Sequence, residues 1–109
     1  MYKDDSLRAR HMLDAAKEAV SFTQNKTRKT LNKDRMRALS LVRLIEIIGE
    51  AASQVSEDFQ EKHPEIPWAQ IVAMRNRLIH AYFDIDLDRI WDTVKEDLPP
   101  LVTKLEKIV

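Results

Sequence analysis

The stretch RMRALSLVRLIEIIGEAASQV, Arg35 to Val55, decides the fold. Its apolar residues Ala38, Leu41, Leu44, Ile45, Ile48, Ala52 and Val55 recur at intervals of three and four, the spacing that lines one face of an α-helix. Nothing in it alternates with the period of a strand, and Ala, Leu, Arg, Met and Glu are good helix formers. Asp34 just ahead is a capping residue, so the spacing predicts a helix starting there and running to about Val55. Gly49 costs about 1 kcal/mol of helix propensity relative to Ala, which close packing of another backbone would explain. Leu39 and Ile47 fall on the other side with Arg43, Glu46 and Glu50, so this helix has a second contact surface.

Working outward, an earlier helix is predicted from a cap at Asp5 or Ser6 to near Asn25, with Ala9, Met12, Leu13, Ala16, Ala19, Val20 and Thr23 as its apolar stripe. The polar segment from Lys26 to Asp34 reads as a connection. After Val55, SEDFQEKH (Ser56 to His63) makes a short acidic helical turn that Pro64 stops, and Pro67 suits the first position of a third main helix beginning at Trp68. That helix is expected to continue through Tyr82. A turn at FDIDLD follows, then a fourth helix with Leu87, Ile90, Trp91, Val94, Leu98, Leu101, Leu105 and Ile108 on one face, bent or restarted by Pro99 and Pro100. The expectation is an all-α, up-and-down bundle of four to five helices, with residues 1–109 forming one domain.

Composition narrows the function. The 109 residues carry 18 basic and 18 acidic side chains, so the overall field of a generic nucleic-acid coat protein is absent and any contact with RNA must come from a local patch. There is no cysteine, which excludes disulfides, thiolate zinc sites and cysteine nucleophiles. No amino-terminal stretch looks like a signal peptide and no apolar run approaches the roughly 18 residues of a membrane span, so a soluble, cytoplasmic protein is expected. A chain this short covers little of a bound polymer. With Leu39 and Ile47 on a polar face, a homodimer is expected to complete the site.

The candidate site is RNRLIHAY, Arg75 to Tyr82. Projected as one continuous helix, Arg75 and Tyr82 lie almost eclipsed inside an apolar sector made by Ile71, Val72, Met74, Leu78 and Ile79, while Asn76 and His80 share the opposite side. A charge in an apolar stripe calls for a partner or a purpose. One reading pairs Arg75 with Glu46 or Glu50; another makes it catalytic, and the two are compatible if an acid orients the guanidinium. His80 alone reads as a surface or capping histidine, and Tyr82 alone as a half-buried aromatic. His11, His63 and His80 have no ligand spacing among them, so neither a metal nor another cofactor is expected. An arginine and a histidine without metal suit phosphodiester transfer in RNA, where the 2′-hydroxyl is the nucleophile, His80 moves the proton and Arg75 holds the phosphate. Residues five apart on a straight helix point about 140° away from each other. Convergence of Arg75 and His80 therefore requires either that the helix ends or distorts near Ile79, or that two copies of the chain meet; the second is the working expectation.

Lys26, Arg28, Lys29, Lys33, Arg35 and Arg37 form the densest cationic stretch, opposed only by Asp34. It reads either as a solvated connection or as an RNA-binding patch.

The pattern R-x4-H-x-Y at Arg75, His80 and Tyr82, with Asn76 after the arginine, resembles the signature of the HEPN superfamily and within it the HepT toxins. IGEAA at Ile48 to Ala52, IPW at Ile66 to Trp68, FDIDLDRIW and DLPPL at Asp97 to Leu101 flank it in matching order. The resemblance implies a HEPN-like helical bundle, a homodimer with a composite cleft, and metal-independent endoribonuclease activity through the motif's arginine and histidine. It also implies a bacterial toxin–antitoxin system whose partner, a minimal nucleotidyltransferase antitoxin, silences the toxin by transferring AMP to Tyr82. Transfer RNA is the substrate class that follows from it. The competing expectations are a non-catalytic module that binds nucleotide or a nucleotidyltransferase, and a purely structural helical dimer.

Overall fold

The computed structural model describes residues 3–81 and 84–109, and at residues 3, 75, 79–81 and 84 the backbone alone. Its chain order is α1 (Lys3–Thr23), α2 (Thr30–Lys33), α3 (Arg35–Ser53), α4 (Glu57–Lys62), α5 (Trp68–Met74), a 3-10 turn (Arg75–Arg77), β1 (Ile79–Ala81), β2 (Asp84–Ile85), α6 (Leu87–Asp92), a π-helical turn (Thr93–Asp97) and α7 (Leu98–Glu106). The architecture is the expected all-helical bundle with one small addition, an antiparallel two-stranded ladder.

The periodicities of α1, α3 and α7 translate directly into burial. All seven apolar positions expected to form the inner stripe of α3 are buried or, in the case of Val55, buried just past its end. α1 packs chiefly against α3 and also against α7, and α3 carries α5 on another side. Burying a Leu or Ile side chain in such a seam contributes about 1.5–3 kcal/mol, so the three long stripes fix the bundle before any polar contact is counted. Gly49 is buried within α3 as well.

Caps set the boundaries. The Asp34 carboxylate accepts from the Arg37 amide at 3.0 Å and Ser56 Oγ from the Phe59 amide at 3.2 Å, so α3 and α4 begin where the sequence placed them. α1 ends at Thr23 rather than Asn25, because Asn25 takes a left-handed backbone with φ 59°, a conformation that asparagine tolerates better than most residues. Asp5 does not cap α1. It lies inside the helix, 1% exposed, and accepts from the Ser56 amide at 2.9 Å and the Ser56 hydroxyl at 2.7 Å. A carboxylate is kept buried by such donors, and here it clamps the start of α1 to the start of α4. The connection from Lys26 to Asp34 contains α2, one helical turn anchored by the buried Leu31.

The last expected helix is three segments. Pro99 and Pro100 have no amide hydrogen to give to the carbonyls of Lys95 and Glu96, and a proline ring clashes with the carbonyl four residues back. The turn ahead of them widens accordingly: the Leu98 amide reaches back five residues to the Thr93 carbonyl, and the prolines sit in the first turn of α7, where amide hydrogens are unpaired anyway.

Candidate active site

The third main helix does not run through the motif. α5 stops at Met74, Arg75–Arg77 form a 3-10 turn, and His80 lies in β1. Asn76 and Arg77 are exposed, whereas Leu78 is buried and acts as the anchor of the turn. β1 then pairs with β2 in the register Ile79 with Ile85 and Ala81 with Asp84, and the Asp86 amide donates to the Leu78 carbonyl at 2.6 Å. The expected turn at FDIDLD is therefore partly strand. β-branched Ile79 and Ile85 and the aromatic Tyr82 and Phe83 between them in sequence are residue types enriched in strands, a signal that a helical projection does not register. Asp86 uses its carboxylate to accept from the Arg89 amide at 3.0 Å, which starts α6.

This break corrects two expectations. The stretch from Arg75 to Ala81 is not one continuous helix, so the shared helical stripe expected for Arg75 and Tyr82 does not hold. The opposed directions of Arg75 and His80 on a straight helix no longer apply either: the helix is interrupted before Ile79, as the first of the two routes to convergence requires. The side chains of Arg75 and His80, and Tyr82 as a whole, lie outside the described residues, as does any pairing of Arg75 with Glu46 or Glu50. The backbone of the 3-10 turn packs against α3, the helix that carries both acids. Glu46 stands 3.9 Å from Arg43, and Glu50 lines a shallow depression with Arg8, His11 and Ile47.

Grooves lie near the motif, one lined by its Arg77 and one by Ile85 of β2. One, of about 370 Å³, lies between α5 and α7 and is lined by Gln70, Met74, Arg77, Asp97, Leu101 and Lys104. Arg77 lines this groove and donates to the Gln70 carbonyl at 3.2 Å. The other, of about 290 Å³, lies between α2, α3 and the junction of β2 with α6. Among the described residues no group of His, Asp and Glu is arranged to hold a metal ion.

The cationic stretch divides into two sets. Arg28 donates to Asp88 at 2.7 Å and to Asn32 at 3.0 Å, tying α2 to α6. Arg37 is held by Asp34 at 3.0 Å and by the Phe22 carbonyl at 2.9 Å. Lys26, Lys29, Lys33 and Arg35 are exposed. The Arg37 amide bond, together with its guanidinium and the charge of Lys26, holds the Asp34 carboxyl below its ordinary pKa, although burial, second in size to the amide bond, opposes them.

A family model described as ribonuclease HepT-like matches residues 12–108. The chain belongs to the ribonuclease HepT-like family. It is 41% identical over 100 residues to a protein of Thermococcus cleftensis named "Probable ribonuclease HepT", covering 88% of this chain and 91% of that one. It is 38% identical over 95 residues to a "Putative RNase" of Methanocaldococcus jannaschii, covering 87% of each. A "Putative RNase" of Caldanaerobacter subterraneus is 32% identical over 99 residues, covering 91% of this chain and 88% of that protein. No solved structure matches the chain. The resemblance first read from the flanked R-x4-H motif is thus a family membership, and a HepT-like chain is an endoribonuclease by family. No described helix is long and apolar enough to cross a membrane.

Proposed function

We propose that this HepT-like protein is the metal-independent endoribonuclease toxin of a toxin–antitoxin pair, working in the cytoplasm as a homodimer of single-domain chains on RNA of the transfer RNA class. Arg75 and His80 are its catalytic residues. The observation that carries this reading is the end of the α-helix at Met74, which removes the angular obstacle between the two residues. The substrate's 2′-hydroxyl attacks the adjacent phosphorus, and its proton leaves to a base. The bond to the 5′-oxygen breaks as that oxygen gains a proton, leaving a 2′,3′-cyclic phosphate and a 5′-hydroxyl. His80 can serve either proton transfer, and the planar guanidinium of Arg75 can donate two hydrogen bonds to the phosphate oxygens as negative charge grows on them. Asn76 supports the site from the same turn, and Glu46 and Glu50 are the acids available to orient Arg75 from α3.

Regulation falls on Tyr82. A nucleotidyltransferase antitoxin transfers AMP from ATP to its hydroxyl, with loss of the hydroxyl proton and release of pyrophosphate, adding a phosphate and a base two residues beyond His80. A second copy of the chain completes the cleft; of the two α3 residues that pointed to it, Leu39 is 42% exposed and Ile47 is partly buried against the core.

The test is incubation of total RNA with wild-type, Arg75→Ala and His80→Ala proteins in the presence of a metal chelator. Cleavage by wild type, reduced about 100-fold or more in each variant, supports the assignment. Absence of cleavage in all three with nucleotide still bound would instead identify a non-catalytic binding module.

A further inference from the structure

The groove of about 290 Å³ beside the ladder has the make-up of a site for one unpaired base. Its floor is apolar, formed by Leu31 and Ala38, which are 2% and 4% exposed. Leu39, Ile85 and Leu87 form apolar walls, and the rim carries Asn32 and Arg35. Exposed Lys29 and Lys33 belong to the same segment, so cations flank an apolar slot. That combination suits a nucleotide: the base enters the slot while the strand's phosphates stay in solvent against the cations.

We propose that this groove holds one base of the RNA strand next to the cut bond, and that it selects guanine or uracil. The inference rests on the ribonuclease reading above.

Position follows from the ladder. Ile85, a wall of the groove, is the register partner of Ile79, which precedes His80. Paired Cα atoms in an antiparallel ladder stand about 5 Å apart, so the groove opens one strand spacing from the backbone that carries His80. The base it holds belongs to a nucleotide flanking the reacting phosphate.

Selectivity follows from donors. Arg28 Nη1 donates to Asn32 Oδ1 at 3.0 Å, and a guanidinium has no acceptor, so the oxygen of the Asn32 amide must face Arg28. Arg28 is itself held by Asp88 at 2.7 Å, which fixes this orientation. The Asn32 NH2 group is left to donate outward, and Arg35 likewise offers only donors. A rim of donors favours guanine and uracil, which carry a carbonyl oxygen (O6 or O4) at the position where adenine and cytosine carry an exocyclic amino group (N6 or N4).

The experiment compares binding of 2′-O-methyl oligouridylate and oligocytidylate of equal length, which lack the nucleophilic hydroxyl, and maps the cut sites of a randomised RNA library. Wild type should bind the uridylate about tenfold more tightly and cut beside guanine or uracil. Asn32→Asp keeps an acceptor for Arg28 but removes the donor, so both preferences should disappear; Leu87→Trp, which fills the slot, should do the same. Lys33→Ala should weaken both oligomers equally. Equal affinities in wild type, no binding of either oligomer, or preferences unchanged in Asn32→Asp and Leu87→Trp would overturn the base site. Dissociation of a dimer by Leu87→Trp would overturn it too, since a second copy would then cover the groove. A preference in binding that the variants abolish, without cleavage of any RNA, would uphold the base site and refute the ribonuclease reading. Cleavage without base preference would do the reverse.

Discussion

The Asp86 amide donates to the Leu78 carbonyl at 2.6 Å, and the segment between them holds the second half of the R-x4-H motif. Asp86 does two jobs at one position, since its carboxylate also accepts from the Arg89 amide to begin α6. Replacing Asp86 by Ala removes a helix cap that is typically worth about 1 kcal/mol and should lower the thermal midpoint by about 4–8 °C. Asp86→Ser, which retains a capping oxygen, should recover most of that loss. RNA cleavage measured well below the midpoint should fall in Asp86→Ala and recover in Asp86→Ser, because the same residue closes the segment carrying His80. Unchanged cleavage in Asp86→Ala would separate the hairpin from the chemistry.

Much of the bundle was legible in the sequence because it depends on one-dimensional periodicity. Ala9 to Thr23, Ala38 to Val55 and Ile90 to Leu105 each repeat at helical spacing, and burial follows that repeat almost residue by residue. Capping by Asp34 and Ser56 was equally readable, since the relevant donors lie three residues away. What escaped depends on partners distant along the chain. Asp5 looks like a cap beside its own helix, yet its donor is Ser56. Arg28 and Asn32 look like members of a solvated basic loop until Asp88 is brought against them. At the motif, Arg75, His80 and Tyr82 were picked out by pattern as candidates, but the backbone between Arg75 and Tyr82 was misread as helix because Met74 to Leu78 contains neither proline nor glycine to announce the end of α5.

Asp34 gives the protein an acid sensitivity of known sign. Its folded-state pKa lies below the ordinary 3.8, so the charged carboxylate stabilises the fold above that value and the contribution is lost as pH falls through the lowered one. Asp34→Asn keeps a capping oxygen but cannot titrate. In urea unfolding at a series of pH values, the wild type should lose stability more steeply than Asp34→Asn as pH falls below 3.8. The gap at neutral pH should narrow in high salt, because this pair is only partly buried. Parallel curves for the two proteins would remove Asp34 as the cause.

The cationic stretch should separate by function. Alanine at Lys29, Lys33 or Arg35 should lower the slope of log affinity against log salt for single-stranded RNA, by about 0.7 for each phosphate that is no longer neutralised, at constant stability. Arg37→Ala should instead lower stability, because its guanidinium holds Asp34 and the Phe22 carbonyl together. If the salt slope ignores Lys29, Lys33 and Arg35, the stretch is a solvated connection.

The most direct measurement of the proposed chemistry uses one RNA with a mapped cleavage site and the same RNA with a single 2′-deoxy nucleotide on the 5′ side of the cut bond, both with wild-type protein in excess chelator. Attack by the 2′-hydroxyl without metal requires that the first RNA be cut to a 2′,3′-cyclic phosphate end, and that the second stay intact at that bond. Cleavage of the 2′-deoxy substrate at the same bond, or a requirement for added divalent metal, would contradict the roles given to Arg75 and His80.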